Sequence, residues 1–196
     1  NGNPSIANSK NFFAFDDFCV TNPATDTDGD GVNDDVDNCP TVANGYSTEG
    51  TTVAGGNGYG SAANQLYWPR DIIVDASGNY YIADAQNNRI QKWAPGATEG
   101  TTVAGGNVDW GDAANQLYRP YGIVLDASGN LYIADTENHR IQKWAPGASE
   151  GTTVAGGNSY GSAANQLKYP YRFTFDSSGN LYIADTYNHR IQKWAP

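Results

Sequence analysis

Residues 50–196 spell nearly the same text three times, and this triplication constrains the fold more than any other property of the chain. The copies occupy residues 50–95, 100–146 and 151–196, with Trp93, Trp144 and Trp194 at steps of 51 and 50 residues and Asp84, Asp135 and Asp185 in the same step. The one-residue difference arises where the second copy reads GGNVDWGDAANQ and the third GGNSYGSAANQ. A period of this size holds four short antiparallel strands with their turns, a unit that must stack on its neighbours to bury its faces.

The second copy shows how each unit parses. An outer strand over 101–104 leads through a glycine-rich crossing to Pro120 and a short apolar strand over 123–125. The turn Asp126-Ala127-Ser128-Gly129-Asn130 places Gly where a positive φ is required. A strand over 131–135, a polar turn at 136–139 and a strand over 140–144 follow, ending at Ala145-Pro146-Gly147. Ile141 and Trp144 fall on opposite faces of that last strand, so both faces bury something. A sheet with one wet face needs no such pattern, whereas a propeller blade between two blades does. The expected class is all-β, a β-propeller of four-stranded blades with three blades in this chain. The 23 Gly, 13 Tyr, 6 Phe and 5 Trp suit short strands, tight turns and a core leaning on aromatics.

The strings GNLYIADTENHRIQKW and GNLYIADTYNHRIQKW resemble the NHL repeat, while the first copy departs with Gln86-Asn87-Asn88-Arg89. The resemblance implies a propeller fold but no single activity, since such propellers include extracellular scaffolds, RNA-binding domains and a zinc-dependent lyase. Closed propellers need about four to eight blades. Residues 51–53 read as a lone outer strand, and the third copy lacks one. The chain is therefore expected not to exist as a free three-bladed monomer: it belongs to a longer product, is completed by a second copy, or joins end to end. Self-association, as a homo-oligomer or filament, is the expected partnership.

Residues 1–49 carry nine acidic side chains against Lys10 alone, and residues 50–196 are nearly balanced. Neither part offers the basic stripe that a nucleic-acid surface needs, and no apolar stretch is long enough to span a membrane. The acidity has a local explanation. Asp26, Asp28, Asp30, Asp34 and Asp37 stand at positions 1, 3, 5, 9 and 12 of a loop, with Gly31 at position 6 and the Val32 carbonyl at position 7. That is the alternation of hard oxygen ligands that binds calcium. Continued as Asp-Asn-Cys-Pro, the segment is similar to a thrombospondin type 3 repeat. The resemblance implies Ca2+ ligands at Asp26, Asp28, Asp30, Val32, Asp34 and Asp37 in a secreted or cell-surface protein.

Cys19 and Cys39 flank this loop. A disulfide between them is the expected state and would clamp the loop, with two free thiols or a soft-metal pair as alternatives. Residues 1–25, rich in Phe, form a separate N-terminal segment. Residues 26–49 form the calcium loop and linker, and the repeats divide as 50–99, 100–150 and 151–196. With no initiator Met and no signal peptide in the text, the chain is expected to start at a processed terminus or inside a longer product.

His139 and His189 are the only histidines. They read as repeat-equivalent turn residues, with Asn88 in that place in the first copy, rather than as zinc ligands of a lyase. No Ser-His-Asp constellation stands apart from the repeats. Asp84 and Arg89, with their copies, are expected to pair across a hairpin turn. The copies differ most in the crossing, where Tyr59, Trp68, Trp110, Arg119, Tyr121, Tyr160 and Tyr169 form a possible face for a protein or glycan ligand, unless these rings only seal neighbouring blades. The expected function is a non-enzymatic, extracellular structural or adhesive scaffold. A propeller enzyme with a metal in the central channel and an RNA-binding domain are the rivals.

Overall fold

A computed structural model of the chain describes residues 49–106 and 110–196. The segment from Thr52 to Pro196 forms one compact unit. The calcium loop, both cysteines and the Phe-rich segment lie outside the described residues.

The unit is all-β, with three antiparallel sheets side by side. The first holds β1 (Pro69–Val74), β2 (Tyr80–Asp84), β3 (Arg89–Trp93) and β4 (Thr101–Gly105). The second holds β5 (Pro120–Leu125), β6 (Leu131–Asp135), β7 (Arg140–Trp144) and β8 (Thr152–Gly156). The third has only β9 (Pro170–Phe175), β10 (Leu181–Asp185) and β11 (Arg190–Trp194). The first strands of the sheets lie beside one another, β1 next to β5 and β5 next to β9, as the innermost strands of successive blades do. Each outermost strand comes from the following repeat: β4 pairs with β3, and β8 with β7. The expected lone strand over 51–53 is not formed. Its copies β4 and β8 are strands because each has a third strand to bond, and no such strand stands beside it here.

Two apolar layers join the blades. Ala83, Ile90 and Ala104 of blade 1 meet Leu117, Ile123, Leu131, Ile133 and Trp144 of blade 2. Ala134, Ile141 and Ala155 of blade 2 meet Leu167, Phe173, Leu181 and Ile183 of blade 3. Ile141 and Trp144 are both buried, so β7 packs on both faces as its sequence requires.

Inside each blade one aspartate organises the top. Asp84 accepts the Tyr67 N–H at 2.7 Å on one oxygen, and the Asn87 amide and Arg89 Nε, each at 2.8 Å, on the other. Arg89 then donates to the carbonyls of Ser61, Ala62 and Gln65, tying down the glycine-rich crossing. Asp135 with Arg140 and Asp185 with Arg190 repeat the arrangement. The pair expected across the turn is thus also the anchor of the crossing loop.

Candidate functional site: the loop face of the blades

The crossings and the turns at 85–88, 136–139 and 186–189 lie on one face, joined by hydrogen bonds from Gln86, Glu137 and Tyr187 N–H to the carbonyls of Tyr67, Tyr118 and Lys168. Each turn is a short 3-10 segment ended by a left-handed residue: Asn88 (φ 52°), His139 (φ 55°) or His189 (φ 55°). Trp68, Arg119 and Tyr169, repeat-equivalent and without glycine's freedom, also have positive φ of 52°, 47° and 50°. Bulky residues adopt this conformation at a cost and only where surroundings enforce it. Two of the enforcing bonds are visible: Arg119 N–H donates to Asn88 Oδ1 at 2.9 Å, and Tyr169 N–H donates to His139 Nδ1 at 3.2 Å.

His139 is therefore an interblade acceptor. Burial holds its imidazole below the usual histidine range, Lys168 adds to the effect, and Asp185 opposes it. Among the described residues no cluster of three or more His, Cys, Asp or Glu has the arrangement of a metal site.

The inner strands bulge where they enter this face, at 69–72 in blade 1 and 120–123 in blade 2. Such bulges re-aim side chains. Here they present the positions at which near-identical repeats differ. Arg70 lies 4.9 Å above the Tyr121 ring and 5.7 Å from Trp68, and Tyr121 packs on Tyr171 at 4.6 Å. Tyr171 meets Tyr187 at 6.4 Å, Tyr187 meets Tyr169 at 4.6 Å, and Tyr169 stands edge-on to His139 at 4.6 Å. His139 in turn touches Tyr160 at 5.4 Å. A band of rings thus runs across blades 2 and 3 and is joined to Trp68 of blade 1 through the Arg70 guanidinium.

The expected ligand-face residues divide into two groups. Tyr59, Trp68, Trp110 and Tyr160 are exposed, whereas Arg119, Tyr121 and Tyr169 are half-buried and help to join blades. Arg119 also reaches Glu137 at 3.7 Å. Tyr59 packs at a tilt on Tyr67, which meets Trp68 edge-on, and Trp110 stacks on Tyr118. The reading missed Tyr171 and Tyr187, which complete the band. It also missed Asp71, whose carboxylate accepts the Ile123 N–H and pairs with Arg172 Nη1, both at 3.0 Å. The signal for all three was the set of columns in which the repeats disagree: Arg70/Tyr121/Tyr171, Asp71/Gly122/Arg172 and Gln86/Glu137/Tyr187.

The NHL repeat family matches residues 66–93, 117–144 and 167–194, each match running from the leucine of a crossing to the tryptophan that ends the third strand. These are three NHL repeats. The thrombospondin type 3 repeat family matches residues 17–46, so the NHL-repeat chain also carries that calcium-binding motif. A Drosophila melanogaster peptidyl-alpha-hydroxyglycine alpha-amidating lyase 2 is 29% identical over 100 residues, covering 50% of this chain and 24% of the lyase. A protein of unknown function from Bacteroides thetaiotaomicron superposes with a TM-score of 0.55 at 24% identity, over 65% of this chain and 34% of its own. An auxiliary nutrient binding protein from the same species gives 0.51 at 25% identity, over 62% and 36%.

The NHL-repeat chain thus spans about a quarter of the lyase and about a third of these solved proteins. The expectation of a non-enzymatic chain is corrected by the first of these matches, because the curated relative is a lyase. Repeat-equivalence of the histidines suggested otherwise, but near-identical blades are no argument against catalysis. Among the described residues no helix is long and apolar enough to cross a membrane.

Proposed function

We propose that these blades belong to a secreted, calcium-stabilised propeller whose loop face binds carbohydrate. The aromatic band carries the reading. Trp68 on blade 1 and Tyr160 and Tyr187 on blade 3 leave large ring surfaces in solvent, and amphipathic rings bind sugar faces while nearby polar groups fix orientation. Arg70, Arg119 and Lys168 supply donors along the band. Likeness to a nutrient binding protein supports it, and the thrombospondin type 3 repeat supports an extracellular setting. An adhesive role at a cell surface would use the same face.

The test is calorimetric titration of the protein with a panel of soluble oligosaccharides, followed by Trp68→Ala and Tyr160→Ala. Truncating an anchoring ring should weaken binding about tenfold or more. Absence of binding across the panel, or unchanged affinity in the double variant, would defeat the proposal.

The match to the lyase favours a second reading, in which the completed propeller breaks the N–Cα bond of a peptidyl-α-hydroxyglycine, giving the peptide amide and releasing the two-carbon remainder as glyoxylate. Peptide amide formed by the protein with added divalent metal would support it. No turnover by the full natural product under the same conditions would remove it.

A further inference from the structure

The three crossings end on one plan that each repeat fills differently. Residues 66–70, 117–121 and 167–171 read LYWPR, LYRPY and LKYPY, so each holds two aromatic residues and one cation around a fixed leucine and proline. The cation changes place from copy to copy, as Arg70, Arg119 and Lys168, yet every blade has one. A residue needed to join blades keeps its place, as the leucine and proline do. A cation that moves while its companions stay aromatic answers to something outside the fold.

Each of the three is positioned by contacts within the row. Arg70 of blade 1 reaches over the Tyr121 ring of blade 2 at 4.9 Å. Arg119 is fixed by its N–H on Asn88 of the preceding blade, at 2.9 Å. Lys168 donates its N–H to Asp185 at 2.6 Å, and its ammonium stands 6.0 Å from the Tyr160 ring. Little of their charge is neutralised. Among the described residues Arg70 and Lys168 form no salt bridge, and Arg119, with 42% of its side chain exposed, reaches Glu137 only at 3.7 Å. The aspartates Asp84, Asp135 and Asp185 are buried against their own arginines, and Asp71 is engaged by Arg172 and the Ile123 N–H. Among the described crossings and turns, that leaves Asp112 and Glu137 against three cations, although the blades as a whole are slightly acidic.

We propose, resting on the carbohydrate reading of this face, that it selects an acidic polysaccharide, a polymer of uronic acids. The carboxylates lie on Arg70, Arg119 and Lys168, and the sugar faces lie on the neighbouring rings. A uronate chain carries one carboxylate on each sugar ring, the pairing of charge with ring that each crossing offers. The planar forks of Arg70 and Arg119 match the two oxygens of a carboxylate. Arg70, already stacked on Tyr121, is held in place before the ligand arrives. Single-stranded nucleic acid also combines rings with anions, but its denser charge calls for a basic groove, which blades of balanced charge lack.

Calorimetric titration at fixed calcium with a short oligogalacturonate, its fully methyl-esterified form and a single-stranded oligonucleotide tests this. The free acid should bind about tenfold or more tightly than the ester, and its advantage should shrink as salt is raised. Arg70→Gln and Lys168→Gln should each weaken the acid about threefold to tenfold while leaving the ester unchanged. Arg70→Lys should retain most of the binding, and far-ultraviolet circular dichroism should stay native throughout. Equal affinity for acid and ester would overturn the selection for charge and leave carbohydrate binding standing. Failure of the acid to bind while neutral oligosaccharides do would have the same meaning, whereas failure of every sugar would remove both. Acid affinity unchanged in the Arg70→Gln, Lys168→Gln double variant, or tighter binding of the oligonucleotide, would also overturn the proposal.

Discussion

His139 in blade 2 accepts the backbone N–H of Tyr169 in blade 3 at 3.2 Å through Nδ1, so a neutral imidazole stitches two blades together. Protonation would turn that acceptor into a donor facing another donor. The folded-state pKa is depressed below 6.5 by burial and Lys168, so the unfolded chain binds the proton more readily. The stability this group contributes is present above pH 6.5 and is lost as pH falls from there toward the folded value. Urea unfolding between pH 7.5 and 5 should show this loss. His139→Asn, which copies the acceptor that Asn88 supplies to Arg119, should flatten that part of the profile.

The Asp135–Arg140 pair is fixed at 2.8 Å with the aspartate fully buried. Burial pushes the Asp135 carboxyl up, while Arg140, the Tyr118 N–H and the Asn138 amide pull it back. Removing one partner strands the other, so Arg140→Ala should cost about 3–5 kcal/mol. Arg190→Ala, whose guanidinium is more exposed, should cost less. Paired denaturant titrations compare the two, and equal losses would contradict the burial argument.

Gly122 is the one glycine of the inner strands, and a Cβ there would stand 2.6 Å from the Tyr171 carbonyl oxygen and 3.2 Å from Arg172 Cα. Backbone cannot yield as a side-chain tip can. Gly122→Ala should therefore push blade 3 from blade 2 and cost about 1–3 kcal/mol, as overpacking does. Gly147→Ala meets open space but has φ 73°, so its cost should be that of conformation alone, about 1 kcal/mol. Thermal melts of both variants provide the comparison.

Calcium removal should act on residues 26–37. Six aspartates within this short stretch repel one another without a cation. Limited proteolysis with chelator should cut this segment at least several-fold faster than with millimolar calcium, while cleavage within the blades stays unchanged. Equal rates in both conditions would contradict the ligand set.

Much of the fold was legible because repetition multiplies weak signals. Ile141 and Trp144 on opposite faces declared a doubly covered strand, and the Asp84–Arg89 spacing declared a pair across a turn. Residues 51–53 misled, since a strand sequence is a strand only beside a partner. Trp68, Arg119 and Tyr169 gave no sign of left-handed backbone; for Arg119 and Tyr169 the acceptors that fit it, Asn88 and His139, lie about thirty residues earlier in the preceding blade. The aromatic band was half legible: its members in the crossings stood out, but Tyr187 lay in a turn that looked merely polar. The functional class was least legible, because sameness between blades was read as absence of chemistry.

The bare backbone at Gly122 lets Asp71 of the first blade touch Ile123 of the second and Arg172 of the third at once. In a stacked array whose members feel only adjacent members, one end can fray while the rest stands. A carboxylate shared by three members couples first to last directly, so loosening the third unit is felt in the first without passing through the second. Arg172→Ala should therefore loosen the first unit's Asp71 as well as the third unit, by no more than the ~1 kcal/mol that an exposed pair contributes.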